Sequence, residues 1–213
     1  MKEITKPANV DSKTFWNKYS ESFTEALSNI KASDQENEIP YDVALDRSTQ
    51  WLVEAQKDRN KIMIIGNGGS AGVASHLAVD FWKNGGVKAI TFNDAPVLTC
   101  IANDYSYDEV FSIPIEQFAE KGDIAICISS SGSSVNILKG AQAALNKGAK
   151  LITCSGFKPD NTLRSMGDLN FYVPSFSYGF VETLHQFIIH SMLDVKMYCV
   201  DEKDIFHRNQ SYR

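Results

Sequence analysis

The chain has 213 residues, 43% of them hydrophobic, and carries a formal net charge of −5 from 21 Lys and Arg against 26 Asp and Glu. A chain of this length buries roughly 70% of its unfolded surface, which suits one domain with a sizeable core and is too little for two ordinary domains. The acidic balance and the lack of any Lys/Arg cluster argue against nucleic acid as a partner. Any phosphorylated ligand must therefore be held by backbone N–H groups, hydroxyls and helix ends.

Residues 1–10 mix Lys, Glu, Thr and Pro without an apolar leader segment and read as an N-terminal tail. Residues 11–199 read as a single domain, and residues 200–213 as a polar, loosely ordered tail. No run of about 18 apolar residues occurs anywhere, so we expect a cytoplasmic protein with no membrane association. From Asp11 to Ile30, Phe15, Tyr19, Phe23, Leu27 and Ile30 recur at the spacing of one helical face. The polar stretch Ser33 to Glu38 reads as a loop. A second helix is expected over Tyr41 to Lys57, with Val43, Ala44, Leu45, Trp51, Leu52 and Ala55 as apolar candidates.

After Lys61 the texture changes to short apolar runs alternating with Gly- or Ser-rich turns and helical stretches. The runs are Ile62 to Ile65, Val87 to Phe92, Ile124 to Ile128, Lys150 to Cys154 and Leu169 to Val173. This alternation predicts an α/β fold, a parallel sheet with covering helices, and ligands in such sheets sit outside the carboxyl ends of the strands. Cys100, Cys127, Cys154 and Cys199 lie far apart, without C-x-x-C pairs, and are expected to be reduced core thiols.

The first run leads into Gly66, Asn67, Gly68, Gly69, Ser70 and Ala71, which open a helix reaching Trp82. Such a turn lets the backbone approach an anion and points the positive helix end at it. Gly66, Gly68 and Ala71 also match the dinucleotide fingerprint G-x-G-x-x-G/A, and a plain tight turn would use glycine too. The third run is followed by Ser129, Ser130, Ser131, Gly132, Ser133 and Ser134 before a helix near Val135. Those hydroxyls suit a terminal phosphate monoester, although serine is also a common helix cap. A dinucleotide site does not require this second loop. Its acidic ribose partner is expected about 20 residues past the glycines, earlier than Asp94.

His76 and Asp80 are spaced to share one face of the helix after the glycine loop. That pair can bind a metal, pass a proton, or form an ordinary ion pair. The last long helix, about Tyr178 to Cys199, is expected to bury Phe180, Leu184, Phe187, Ile188, Met192 and Val195. Glu182, His185, Gln186 and His190 then fall on the opposite stripe. No Lys or Arg occurs between Tyr178 and Val195, which fits a site better than an ordinary solvated face.

Three ordered motifs carry a resemblance. Ile65-Gly66-Asn67-Gly68-Gly69-Ser70-Ala71, then Ala102-Asn103-Asp104-Tyr105 with Glu109-Val110-Phe111, then Ile128 to Ser134 with Asn136-Ile137-Leu138, resemble successive signatures of the phosphoheptose isomerases. These are members of the sugar isomerase (SIS) family, and the resemblance runs from about Trp16 to Lys196. It implies a three-layer, flavodoxin-like parallel sheet with two N-terminal helices, and a homotetramer with sites between subunits. The implied sugar phosphate is held by Ser129, Ser130, Ser131 and Ser134, with Asn67, Ser70 and Asp104 lining the sugar. A zinc site falls on His76, Asp80, Glu182 and His190, with Asp80 and His190 as the catalytic pair. Asp80 stands where the family has Glu, Glu182 where it has Gln, and Gly179 where it usually has Asp.

The implied activity is aldose-ketose isomerisation of sedoheptulose 7-phosphate to D-glycero-D-manno-heptose 7-phosphate, without NAD, for lipopolysaccharide or capsule heptose. The departures at Asp80, Glu182 and Gly179 keep two alternatives open: an isomerase of another sugar phosphate, and a non-catalytic SIS regulator that binds a phosphosugar or a protein. A nicotinamide oxidoreductase rests on Gly66, Gly68 and Ala71 alone.

Overall fold

The computed structural model describes residues 11–206. The expected N-terminal tail, residues 1–10, and residues 207–213 of the expected C-terminal tail lie outside the described residues. Helix α1 (Ser12–Ser28) begins where the Asp11 carboxylate accepts the Lys13 and Thr14 amides at 2.8 and 2.9 Å, an N-cap that satisfies otherwise orphaned donors. Its expected buried face is only half realised. Phe23 and Leu27 pack on the core, whereas Phe15 is 58% exposed and Tyr19 39%. Helix α2 (Tyr41–Asp58) buries Ala44, Leu52 and Ala55 and leaves Val43 exposed.

The polar stretch from Ser33 to Glu38 is a loop as expected, with only its end residues in strands. Strands β1 (Lys31–Ser33) and β2 (Glu38–Ile39) flank it and pair antiparallel. Asp34 closes the turn by accepting from the Glu36 and Asn37 amides, at 3.0 and 2.8 Å. Three-residue and two-residue strands are too short to show an alternation in sequence, which is why the flanking hairpin has no reading there.

The expected apolar runs become β3 (Lys61–Gly66), β4 (Lys88–Ile90), β5 (Ile124–Ser129), β6 (Lys150–Gly156) and β7 (Leu169–Val173). The sheet order is β2-β1-β7-β6-β5-β3-β4. Strands β3 to β7 are parallel, and the hairpin adds an antiparallel edge through Ala32 opposite Phe171. Helices α3 (Gly69–Lys83), α6 (Val135–Asn146) and α7 (Tyr178–Cys199) lie near their expected positions. Two short helices, α4 (Ala95–Asp104) and α5 (Ser112–Phe118), had no reading in the sequence.

Alternate side chains of the strands point to opposite faces and build two cores. Ile62, Ile64, Ile126 and Ile152 face α2, α3 and α7, together with Leu52, Leu77 and Ile188. Met63, Ile65, Cys127 and Leu151 face α5 and α6, together with Ile115 and Ile137. The result is a three-layer α/β fold. Cys127 and Cys154 are buried as expected, but Cys100 and Cys199 are exposed, so only half of the thiols belong to the core.

The start of the C-terminal tail is fastened rather than loose. Lys196 is fully buried, and its ammonium donates to both Asp201 carboxylate oxygens and to the Gly85 carbonyl, each at 2.9 Å. All three donors are satisfied, which is what burying a lysine demands.

At the amino ends of the strands Asp123 is completely buried between β3 and β5. It accepts the Lys61 amide at 2.9 Å, the Lys61 ammonium at 2.6 Å and the Glu120 amide at 2.8 Å. Burial pushes its pKa up, but the bonds from Lys61 and Glu120 outweigh this and hold it below the ordinary carboxylate value. A lowered folded pKa contributes stability above the unfolded value of about 3.9, lost as pH falls through the folded one. Asp123→Ala removes the nearer of the two carboxylates that pair with Lys61, the other being Glu120 at 3.8 Å, and should cost roughly 3 kcal/mol in urea unfolding at pH 7. The gap to wild type should narrow below about pH 4; a constant gap would mean that packing, not charge, carries the effect.

Candidate active site

Strand order reverses around β3: the chain passes from β3 to β4 on one side, then returns to place β5 on the other. Ligands of open α/β sheets bind at such a switch point. Gly66 pairs with Ile128, so the glycine loop and the serine loop leave the sheet side by side. Both turns need positive φ, +55° at Gly68 and +62° at Gly132. Gly132 is further constrained, because a Cβ there would fall 1.8 Å from Asn161 Oδ1.

Between the loops lies a cavity of about 160 Å³ lined by Asn67, Ser70, Ser129, Ser130, Ser131 and Ser134, with Ile128, Tyr178 and Glu182 completing it. It is smaller than the roughly 300 Å³ of an ordinary small-molecule cleft, with room for a group about the size of a phosphate. Ser129 Oγ lies 3.5 Å from Ser131 Oγ and 3.4 Å from Ser134 Oγ. Ser134 is the N-cap of α6 but makes no side-chain capping bond, so its hydroxyl remains available to a ligand. Asn67 is held in a reciprocal amide pair with Asn136, 2.9 Å in each direction, and its Oδ1 also accepts from the Tyr107 hydroxyl at 3.2 Å. Asn136, Tyr107 and Tyr178 were not singled out as site residues. Only the motif membership of Asn136 pointed towards it.

Asp104 does not join this cavity. It ends α4 in an exposed position, with its carboxylate accepting from Asn103 Nδ2 at 2.9 Å and from the Cys100 thiol.

A second cluster joins α3 to α7. His76 Nε2 lies 3.3 Å from His190 Nε2 and 3.2 Å from Asp80 Oδ2, and His190 Nε2 lies 3.7 Å from the same oxygen. Bonds of about 2.0–2.1 Å to a tetrahedral zinc put ligand atoms roughly 3.3 Å apart, so these three donors have the spacing of three corners of such a shell. Asn84 Nδ2 donates to Asp80 Oδ1 at 3.1 Å, leaving Oδ2 to the histidines. Glu182, expected as a fourth ligand, stands outside the group whose donor atoms lie within 4.8 Å of one another, and faces the serine cavity instead.

The late helix also differs in which residues it buries. Phe187 is 47% exposed, and His185 is fully buried, against their expected places. Helix α7 is covered by α2 and α3 as well as by the sheet, so its apolar face is wider than one stripe. His185 Nε2 pairs with the Ser155 carbonyl at 3.0 Å, while Nδ1 is buried without a partner among the described residues.

This architecture, with two adjacent ligand loops at a switch point, is that of an SIS domain, and the SIS domain family model matches residues 18–156. A phosphoheptose isomerase of Helicobacter pylori is 35% identical over 172 residues, covering 78% of this chain and 86% of the relative. Among solved structures, phosphoheptose isomerase from Neisseria gonorrhoeae superposes with a TM-score of 0.70 at 25% identity, over 86% of this chain and 99% of that one. The Francisella tularensis phosphoheptose isomerase gives 0.76 at 24% identity, over 91% and 100%, a likeness of fold. The chain belongs to the phosphoheptose isomerase family.

Burial pushes the His185 imidazole down to about 4, against the opposing pull of its bond to Ser155. The neutral form therefore stabilises the fold fully above about pH 6.5, and that contribution is lost as pH falls towards 4. The urea midpoint of the wild type should decline across this window more steeply than that of His185→Leu. Parallel declines in the two proteins would assign the acid sensitivity to another group.

Proposed function

We propose that the protein isomerises sedoheptulose 7-phosphate to D-glycero-D-manno-heptose 7-phosphate through an enediol, supplying heptose for lipopolysaccharide or capsule. The names of its relatives support this substrate, and the observation that carries it is a distance. His76 comes about 9 Å along α3 from Ser70, and His190 about 12 Å along α7 from Glu182, at a rise of ~1.5 Å per helical residue. A phosphate in the serine cavity is therefore about one extended sugar chain from the His76–Asp80–His190 cluster. At about 1.2 Å per bond, the first two carbons of a seven-carbon chain lie roughly 8–10 Å from its phosphorus, and those of a three-carbon chain fall well short.

In this reading Ser129, Ser130, Ser131 and Ser134 hold the phosphate with hydroxyls and the start of α6, with no basic side chain in the cavity. Asn67 and Ser70 line the sugar. Asp80 takes the proton beside the carbonyl, and His190 moves protons at the neighbouring oxygen or carbon. His76, Asp80 and His190 would hold a zinc ion, whose contribution is to polarise the substrate oxygens. The protein acts in the cytoplasm as a homotetramer. Its exposed aromatic residues Phe15, Trp16 and Tyr19 on α1 offer a surface for another copy.

Incubation with sedoheptulose 7-phosphate and zinc in deuterated water should give the aldose, with deuterium beside the carbonyl in the NMR spectrum. His190→Ala should slow both signals at least ~100-fold with the fold intact, and Asp80→Ala should also lose zinc in a chelator competition. Binding without aldose or exchange would favour the non-catalytic regulator. A full rate in His190→Ala would refute the assigned roles.

A further inference from the structure

The serine loop is backed by the turn that follows β6. Gly156, the last residue of β6, donates its amide to the Ser130 carbonyl at 3.1 Å, and Leu163, beyond the turn, donates its amide to the Gly132 carbonyl at 2.9 Å. Between them Phe157 is half-buried, Lys158, Pro159, Asp160 and Thr162 are exposed, and Asn161 alone is buried. The Asn161 carboxamide spans the turn. Its Nδ2 donates to the Lys158 carbonyl at 2.8 Å, to Ser155 Oγ at 3.2 Å and to the Gly156 carbonyl at 3.3 Å, one of its two hydrogens being shared. Its Oδ1 accepts the Arg164 amide at 3.0 Å. The same carboxamide stands where a side chain of residue 132 would project, which only the missing Cβ of Gly132 permits. Asn161 is outside the lining of the serine cavity.

We propose that Asn161 is a positioning residue for the phosphate site. Its carboxamide fixes the separation of the Gly156 and Leu163 amides, which hold the Ser130 and Gly132 carbonyls, and it fills the side of the loop that Gly132 leaves open. The serine loop is thereby shaped before a ligand arrives. A cavity with no basic side chain depends on this, because neutral hydroxyls and amides bind a phosphate well only when several are already aimed at it. Each residue whose backbone the ligand must order instead lowers affinity roughly tenfold. The His76–Asp80–His190 cluster stands on α3 and α7, so loss of the carboxamide should change binding and spare the proton transfer. The inference rests on the sugar-phosphate reading above and adds to it a residue that does not touch the ligand.

The test is steady-state isomerisation of sedoheptulose 7-phosphate by the full-length protein. Asn161→Ala should raise KM about tenfold and leave kcat within about threefold, a split that a general loss of stability would not produce. Asn161→Ser, a milder change, should give the same split and serves if Asn161→Ala does not fold. Gly132→Ala presses on the carboxamide from the loop side and should also raise KM. Because both substitutions break one contact, KM in the double variant should fall at least about threefold short of the product of the two effects. An unchanged KM in a folded Asn161 variant would overturn the proposal, as would a loss confined to kcat or a double variant whose effects simply multiply. If the wild type binds the sugar phosphate without turning it over, the calorimetric dissociation constant takes the place of KM. Failure of the wild type to bind it at all would instead overturn the underlying reading, and the proposal with it.

Discussion

The pairing of β3 with β5 is the constraint on which the site depends. Because Gly66 stands opposite Ile128 in a parallel ladder, two turns far apart in the chain leave the sheet together and open onto one crevice. Both ends of this strand pair are fastened. Asp123 ties the amino ends through Lys61, and at the carboxyl ends the Asn67–Asn136 amide pair joins one loop to the other. A slip of this register by one residue would turn Ile62 and Ile64 towards the opposite core and separate the loops. The isoleucines that build the two cores therefore also fix the site.

An acidic protein that binds a phosphate needs a local source of positive potential. Here that source is the backbone: α3 and α6 direct their amino ends at the crevice, and the serines add donors without adding charge. Glu182, on α7, lies against Gly69 at the start of α3. The same helix carries His190 to the cluster with His76 and Asp80, so α7 takes part in both halves of the site. Asn84 holds the far oxygen of Asp80, turning the near one to the histidines. This positions a carboxylate one methylene shorter than the family's.

The glycine and serine loops were legible because their chemistry is local. A strand, a small-residue turn and a helix start are contiguous in sequence, and each restricts its neighbours. The pairing of His76 with Asp80 was legible for the same reason, through helical spacing. Asp104 is exposed at the end of α4 and outside the serine cavity, because a motif fixes residue type but not the direction of an exposed helix end. His185 and Phe187 were misassigned because a single polar stripe was read on α7, while two helices and a sheet surround it. The β1–β2 hairpin escaped notice because its strands have too few residues for alternation to appear.

From sequence alone came the α/β class, the two ligand loops, the family resemblance and most of the residues that line the cavity. These follow from patterns spanning a few residues, where hydrophobic period, glycine φ and helix spacing leave few choices. Tertiary structure alone decided which distant side chains meet. It brought His190 within 3.3 Å of His76, joined Asn136 to Asn67, buried His185 and placed Glu182 in the lining of the serine cavity, outside the His76–Asp80–His190 group. Such contacts depend on how α3 and α7 cross over one face of the sheet, and that packing is a property of the whole core rather than of any segment within it.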